Sequence, residues 1–246
     1  MMPFLIALQF LTVIPIQLKR MPTAKENGCS LMFYPVVGAL IGALLYAVAL
    51  LLLPLPNVLS ATLILALWIG LTGGLHLDGL ADTADAWVGG YGDRQRTLEI
   101  MKDPACGPIG VLSLLVICWI KWSALYVLLT QQHYMALILF PIIGRLAPML
   151  LLVSCSYVRE KGLGAPISAT LHEAGVVLIL LMCTASTLFW DWSGVFSLAI
   201  ALLTVVLMRR AFISRLGGVT GDTLGASVEI TEAVALLGFV CLLFYI

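Results

Sequence analysis

Residues 58–85 read VLSATLILALWIGLTGGLHLDGLADTAD. An apolar run extends to Leu75, close to the length of about 20 residues that crosses a bilayer. Within it, Gly73 and Gly74 announce a turn, and three carboxylates follow at once: Asp78, Asp82 and Asp85. Their i, i+4, i+7 spacing puts all three on one face if the segment is helical. Carboxylates that close repel one another unless a positive group sits among them, and a hard divalent cation such as Mg²⁺ meets that need. The stretch therefore predicts a membrane span that delivers a metal-binding face to the membrane surface.

Composition agrees. Of 246 residues, 61% are apolar and only 11% charged, with a mean hydropathy of +1.08; a soluble domain carries roughly 25% charged residues. The reading is an all-α integral membrane protein. Apolar runs at 32–53, 58–75, 109–129, 135–153, 175–190, 194–208 and 228–246 predict about seven transmembrane helices. Residues 3–16 are apolar but too short to cross, and are read as an interfacial or re-entrant helix. They lack the basic start and small-residue cleavage site of a signal peptide. Connections are short, so residues 1–246 are read as one polytopic membrane domain. The six cysteines contain no Cys-x-x-Cys pair, which argues against a disulfide framework or a zinc site.

Basic residues test the map. Lys19, Arg20 and Lys25 precede the first span; Arg94, Arg96 and Lys102 follow the second; Arg159 and Lys161 follow the fourth; Arg209, Arg210 and Arg215 follow the sixth. If the chain alternates, all of these fall on one side. Loops 54–57, 130–134 and 191–193, on the other side, contain no Lys or Arg. By the positive-inside rule the basic side is cytoplasmic and the C-terminus lies outside. This places loops 73–110 and 217–229 together on the cytoplasmic face, as two parts of one site. Lys121 and Arg145 remain near the middle of spans, where a charge is costly and faces a partner or a wet cavity. Both are candidates for contact with an anionic substrate, and Glu232 is a candidate partner for either.

Several residues around the acids suit phosphate chemistry. Gly73, Gly74 and Gly79 permit close backbone approach. His76 fits a base or a phosphate donor, or else a solvent-facing helix-end histidine. Lys102, in MKDP (101–104), fits a group that neutralises developing phosphate charge, or a membrane anchor. A second Gly-rich turn, GGVTGDTLGASVE (217–229), leads into the last span with Asp222 and Glu229 at i and i+7. Its backbone N–H groups, including that of Gly221, are placed to cradle phosphate.

Taken together, GGLHLDGLADTAD (73–85), MKDP (101–104), GGVTGD (217–222) and GA (225–226) resemble the cobalamin synthase family, the adenosylcobinamide-GDP ribazoletransferases. ALQFLTVIP (7–15) and FYPVVG (33–38) are similar to that family too, so the likeness runs from end to end. One departure is ACGPIG (105–110), where the family often has Arg-Ile-Gly-Ala-Phe-Gly; both glycines are kept. The resemblance implies a Mg²⁺-dependent inner-membrane enzyme. It would join adenosylcobinamide-GDP to α-ribazole or its 5′-phosphate and release GMP. The lipid bilayer is its setting, with other corrinoid-assembly enzymes and a second copy of the chain as further partners, and no nucleic acid. On this reading Asp78, Asp82 and Asp85 hold the metal, and Asp82 belongs to the catalytic set. Asp85 or His76 takes the acceptor proton, Lys102 and Arg145 steady the leaving group, and Asp222 completes the site.

Two other enzyme classes place aspartates at membrane faces. CDP-alcohol phosphotransferases expect Asp-Gly-x₂-Ala-Arg, where this chain has Asp78-Gly79-Leu80-Ala81-Asp82. Aromatic prenyltransferases expect a second Asp-rich motif, and the second loop offers Asp222 alone. A transporter would account for Lys121 and Arg145 but not for clustered acids outside the spans.

Overall fold

The computed structural model describes residues 1–159 and 164–245, and Lys161 of the basic-loop argument lies outside them. The described chain is helical. A short α1 (Met2–Leu11) precedes α2 (Ala24–Ser30) and α3 (Tyr34–Leu51); α4 (Asn57–Thr72) is followed by α5 (Leu75–Gly89) and α6 (Arg94–Ile100). Then come α7 (Pro108–Thr130), α8 (Leu139–Ser154), α9 (Ala165–Ser168), α10 (Glu173–Ser186), α11 (Asp191–Leu216) and α12 (Gly221–Leu242). Start signals are local and ordinary. Thr23 caps α2 with Glu26 in a capping box, Pro35 and Pro108 sit in the first turns of α3 and α7, and Thr220 and Thr223 cap α12 reciprocally.

In α8 and α12, 78% of the apolar window is buried, against 28% in α7. These two helices therefore form the centre of the bundle and the others wrap them. Val111, Leu112, Leu115 and Trp119 of α7, and Leu203, Val206 and Leu207 of α11, remain exposed. A surface like that suits hydrocarbon, which solvates apolar side chains as well as a protein core does.

The expected seven crossings are not reached by length and composition. Among the described residues five helical runs qualify, and six do if the bent pair α4–α5 counts as one. Two features explain the difference. Gly73 and Gly74 both adopt left-handed backbone, φ 62° and 70°, and turn α5 through 86° from α4. The expected fifth and sixth spans, α10 and α11, are joined end to end in one 44-residue run, Glu173–Leu216, broken at Asp191 by a φ of 52°, so length and composition count two spans' worth of helix once. From the Gly73–Gly74 bend, α5 packs against the starts of α12 and α7. The segment expected as a loop at 73–110 thus contains two helices.

The basic loops do meet at one end. Arg159 donates to the Met101 carbonyl at 3.2 Å, Arg209 to the Ser154 carbonyl at 2.9 Å, and Arg215 to the Trp87 carbonyl at 3.2 Å. Those contacts tie the ends of α5, α6, α8 and α11 together around the start of α12.

Candidate active site

α5 carries the acids because it can lie unusually close to α12. A Cβ placed on Gly79 would come within 2.8 Å of the Asp222 carbonyl oxygen, and one on Gly225 within 3.3 Å of the His76 backbone. Side chains at either position would force the helices apart. With both absent, Asp78 and Asp82 of α5 come up beside Asp222 at the start of α12.

A cavity of about 570 Å³ opens at this junction. Its polar lining comes from His76, Asp78, Tyr157, Arg159, Gly221 and Asp222, and its apolar lining includes Phe10, Leu11, Tyr34, Leu152 and Ile167. Arg159 makes a 2.6 Å ion pair with Asp222. His76 is buried, and its Nδ1 has no hydrogen-bond partner. Burial, followed by the charges of Asp78 and Asp222, pushes the Asp82 carboxyl up to about 6, with Arg159 opposing and Asp85 adding to the rise. Net negative charge is thus concentrated here beyond what one guanidinium offsets.

The remaining expected residues have other occupations. Asp85 accepts hydrogen bonds from the N–H groups of Gly107 at 2.7 Å and Gly110 at 2.8 Å. It therefore caps the first turn of α7, one oxygen to each N–H. Lys121, Arg145 and Glu229, expected at substrate, are buried within the bundle. Lys121 Nζ lies 2.6 Å from Glu229 and 2.5 Å from Glu232, and Arg145 pairs with the other oxygen of Glu232. Two cations meet two anions, so the mid-span charges neutralise each other and need no anionic substrate. Lys121 also sits 4.6 Å above the Trp68 ring. Gly73 and Gly74 make the α4–α5 bend and do not line the cavity. Lys102 is exposed on the loop beside Met101, the residue whose carbonyl holds Arg159.

The acids suit a divalent cation. Asp78 and Asp82 offer hard oxygen donors one helical turn apart, with the Asp222 carboxylate close to both. Among the described residues, no three His, Cys, Asp or Glu side chains converge as a ready-made metal cage. Mg²⁺ does not require one, since it is commonly held by one or two carboxylates together with substrate phosphates and water.

Two cavity residues carry no role in the sequence reading. Arg159 registers there only as a basic-loop charge, and Tyr157 not at all. Both arrive through a parallel bridge between Tyr157 and Val219, with the Val158 N–H donating to the Val219 carbonyl at 2.8 Å. An apolar–aromatic–basic run directly after a span is the only sequence signal that segment offers.

A family model described as cobalamin-5-phosphate synthase matches residues 3–240. The chain belongs to that family. Relatives named adenosylcobinamide-GDP ribazoletransferase align along nearly their whole length. One from Acinetobacter baumannii is 52% identical over 246 residues, covering 100% of both chains. Another, from Stutzerimonas stutzeri, is 49% identical over 238 residues, 97% of each chain. A third, from Pseudomonas fluorescens, is 48% identical over 239 residues, 97% of this chain and 99% of the relative. No solved structure matches. In this cobalamin-5-phosphate synthase family member the match takes in every cavity residue, from Phe10 to Val228.

Proposed function

We propose that the chain transfers the adenosylcobinamide-phosphate group of adenosylcobinamide-GDP to α-ribazole or its 5′-phosphate, releasing GMP, at the cytoplasmic face of the bacterial inner membrane. The observation that carries this reading is the meeting of Asp78, His76, Asp222 and Arg159 at one cavity, in a chain of the cobalamin-5-phosphate synthase family. The basic loops gathered at that end favour the cytoplasmic side.

A ribose hydroxyl oxygen forms a bond to the phosphorus nearest the corrinoid, and the bridging P–O bond to GMP breaks. Asp78 and Asp82 would hold Mg²⁺, which when bound offsets charge on the diphosphate oxygens. Arg159, fixed by Asp222 and the Met101 carbonyl, adds a fixed positive charge on the protein side. His76, a lining residue of the cavity, receives the hydroxyl proton on its imidazole. Asp85 is committed to the start of α7, which leaves His76 as the proton acceptor of the two. Lys102, one residue beyond the carbonyl that fixes Arg159, is within the same loop to meet the GMP phosphate as it departs.

The deciding experiment follows GMP release from adenosylcobinamide-GDP by the purified chain, with and without Mg²⁺, comparing α-ribazole with its 5′-phosphate. Metal-dependent GMP release that requires an acceptor is expected. Metal-independent release would remove the cation from the scheme. In His76→Gln, turnover should fall by about 10²–10⁴-fold, the range of a lost proton acceptor.

A further inference from the structure

We infer that the cavity between α1, α5, α8 and α12 seats the acceptor and not the corrinoid, with the acceptor's benzimidazole against the apolar wall and its ribose at the acids. This rests on the proposed transfer reaction and adds which substrate occupies which space.

The volume makes the first distinction. About 570 Å³ lies within the roughly 300–1,000 Å³ typical of sites that enclose one small molecule. A two-ring base on a ribose fits such a space. A corrinoid with its side chains and nucleotide is several times larger and does not, so the donor can reach the acids only by its diphosphate arm.

The walls make the second. The side supplied by α1, α3 and α9 is apolar. There Phe10 and Tyr34 lie nearly parallel, centroids 6.2 Å apart at 24°, and Ile167 closes on them. A flat, uncharged aromatic base is the part of either substrate that gains from such a surface. A diphosphate gains nothing from it, and guanine would leave its several polar edges unpaired. The side supplied by α5, α12 and residues 157–159 holds His76, Asp78, Asp222 and Arg159. A ribose hydroxyl has hydrogen-bonding partners among these four side chains. An acceptor lying across the cavity therefore points its hydroxyl to the place where the phosphorus must arrive.

The test uses the full chain in detergent and takes α-ribazole as the probe. Equilibrium dialysis without corrinoid should show saturable binding of α-ribazole. Filling the apolar side with Leu152→Trp should raise the α-ribazole KM about tenfold or more. The adenosylcobinamide-GDP KM should move less than about twofold. Phe10→Leu, which adds no bulk and keeps the helix apolar, should weaken α-ribazole by about 2–10-fold, the worth of one aromatic contact. The proposal is overturned if both variants bind α-ribazole as the wild type does, or if the donor KM rises in place of the acceptor KM. Saturable α-ribazole binding lost on filling, with no GMP released by the wild type, would sink the transfer reaction and leave the acceptor seat standing. Normal GMP release indifferent to filling would do the reverse.

Discussion

Asp85 has a structural occupation that the proposed metal ligands Asp78 and Asp82 lack. It accepts two backbone N–H groups at the start of α7, from Gly107 at 2.7 Å and Gly110 at 2.8 Å. A hydrogen bond to a charged acceptor contributes about 1.5–3 kcal/mol, and loss of a helix cap costs about 0.5–2 kcal/mol. The carboxylate is half-buried, so water recovers part of the loss, and Asp85→Ala should cost about 2 kcal/mol. For a chain of this size that lowers the unfolding midpoint by roughly 4–8 °C. Asp85→Asn keeps one acceptor oxygen but turns an amide N–H₂ toward the second donor, so it should lose a comparable fraction of that. The assay pairs thermal unfolding in detergent with GMP release, using Asp82→Asn as the reference. Asp85→Asn should unfold earlier and keep Mg²⁺-dependent turnover, whereas Asp82→Asn should fold and lose that turnover. An Asp85→Asn protein as stable as the wild type but as inactive as Asp82→Asn would refute this reasoning and return Asp85 to the metal or to the proton.

Three further predictions test neighbouring features. Gly110→Ala places a methyl group within 2.4 Å of an Asp85 oxygen, so it should reproduce the Asp85→Ala destabilisation; a wild-type melting curve would contradict the cap. Glu232→Ala strips Arg145 of its carboxylate and Lys121 of one of two, and should cost about 3–5 kcal/mol, the usual penalty for orphaning a buried charge. Chemical unfolding in mixed micelles would measure it, and a loss below about 1 kcal/mol would show that Arg145 has another partner. For Asp82 the sign follows from its position: the folded carboxyl keeps its proton up to about 6, against 3.8 for the ordinary group. The unliganded fold therefore loses stability from this group as pH rises from about 4 through 6, and the deficit is complete at pH 7.5. Mg²⁺ should raise the unfolding midpoint more at pH 7.5 than at pH 5, and Asp82→Asn should remove the difference. Equal shifts at both values would count against Asp82 as a ligand.

What was legible in the sequence was local, or forced by the bilayer. Asp78 and Asp82 could be paired because i and i+4 on a helix are neighbours whatever surrounds them. Glu232 could be matched with Lys121 and Arg145 because mid-span charge demands a partner. Which charges met which was not legible: Lys121, Arg145 and Glu229 were expected at the substrate and lie in a closed quartet instead. Asp85 looked like a third ligand because its spacing matched, yet the contact that occupies it joins the end of α5 to the start of α7 and leaves no periodic trace. The turn between the fifth and sixth apolar runs was legible as Asp191-Trp192-Ser193-Gly194, and the backbone breaks there, at Asp191. Arg159 was hidden because a basic residue beside a membrane already has an explanation.

The quartet of Lys121, Arg145, Glu229 and Glu232 also orders the chain's assembly in time. Both cations lie on α7 and α8, which leave the ribosome well before α12 brings both anions. Until then α7 and α8 each carry an unanswered charge, worth about 2.5–3.5 kcal/mol against insertion at a helix centre. The last helix therefore acts as a closing key: its two glutamates discharge the cations just as Asp222, in the first turn of the same helix, completes the cavity. A nascent chain without its final segment is left both electrostatically open within the membrane and catalytically incomplete, so the bundle and its chemistry come into being in the same event.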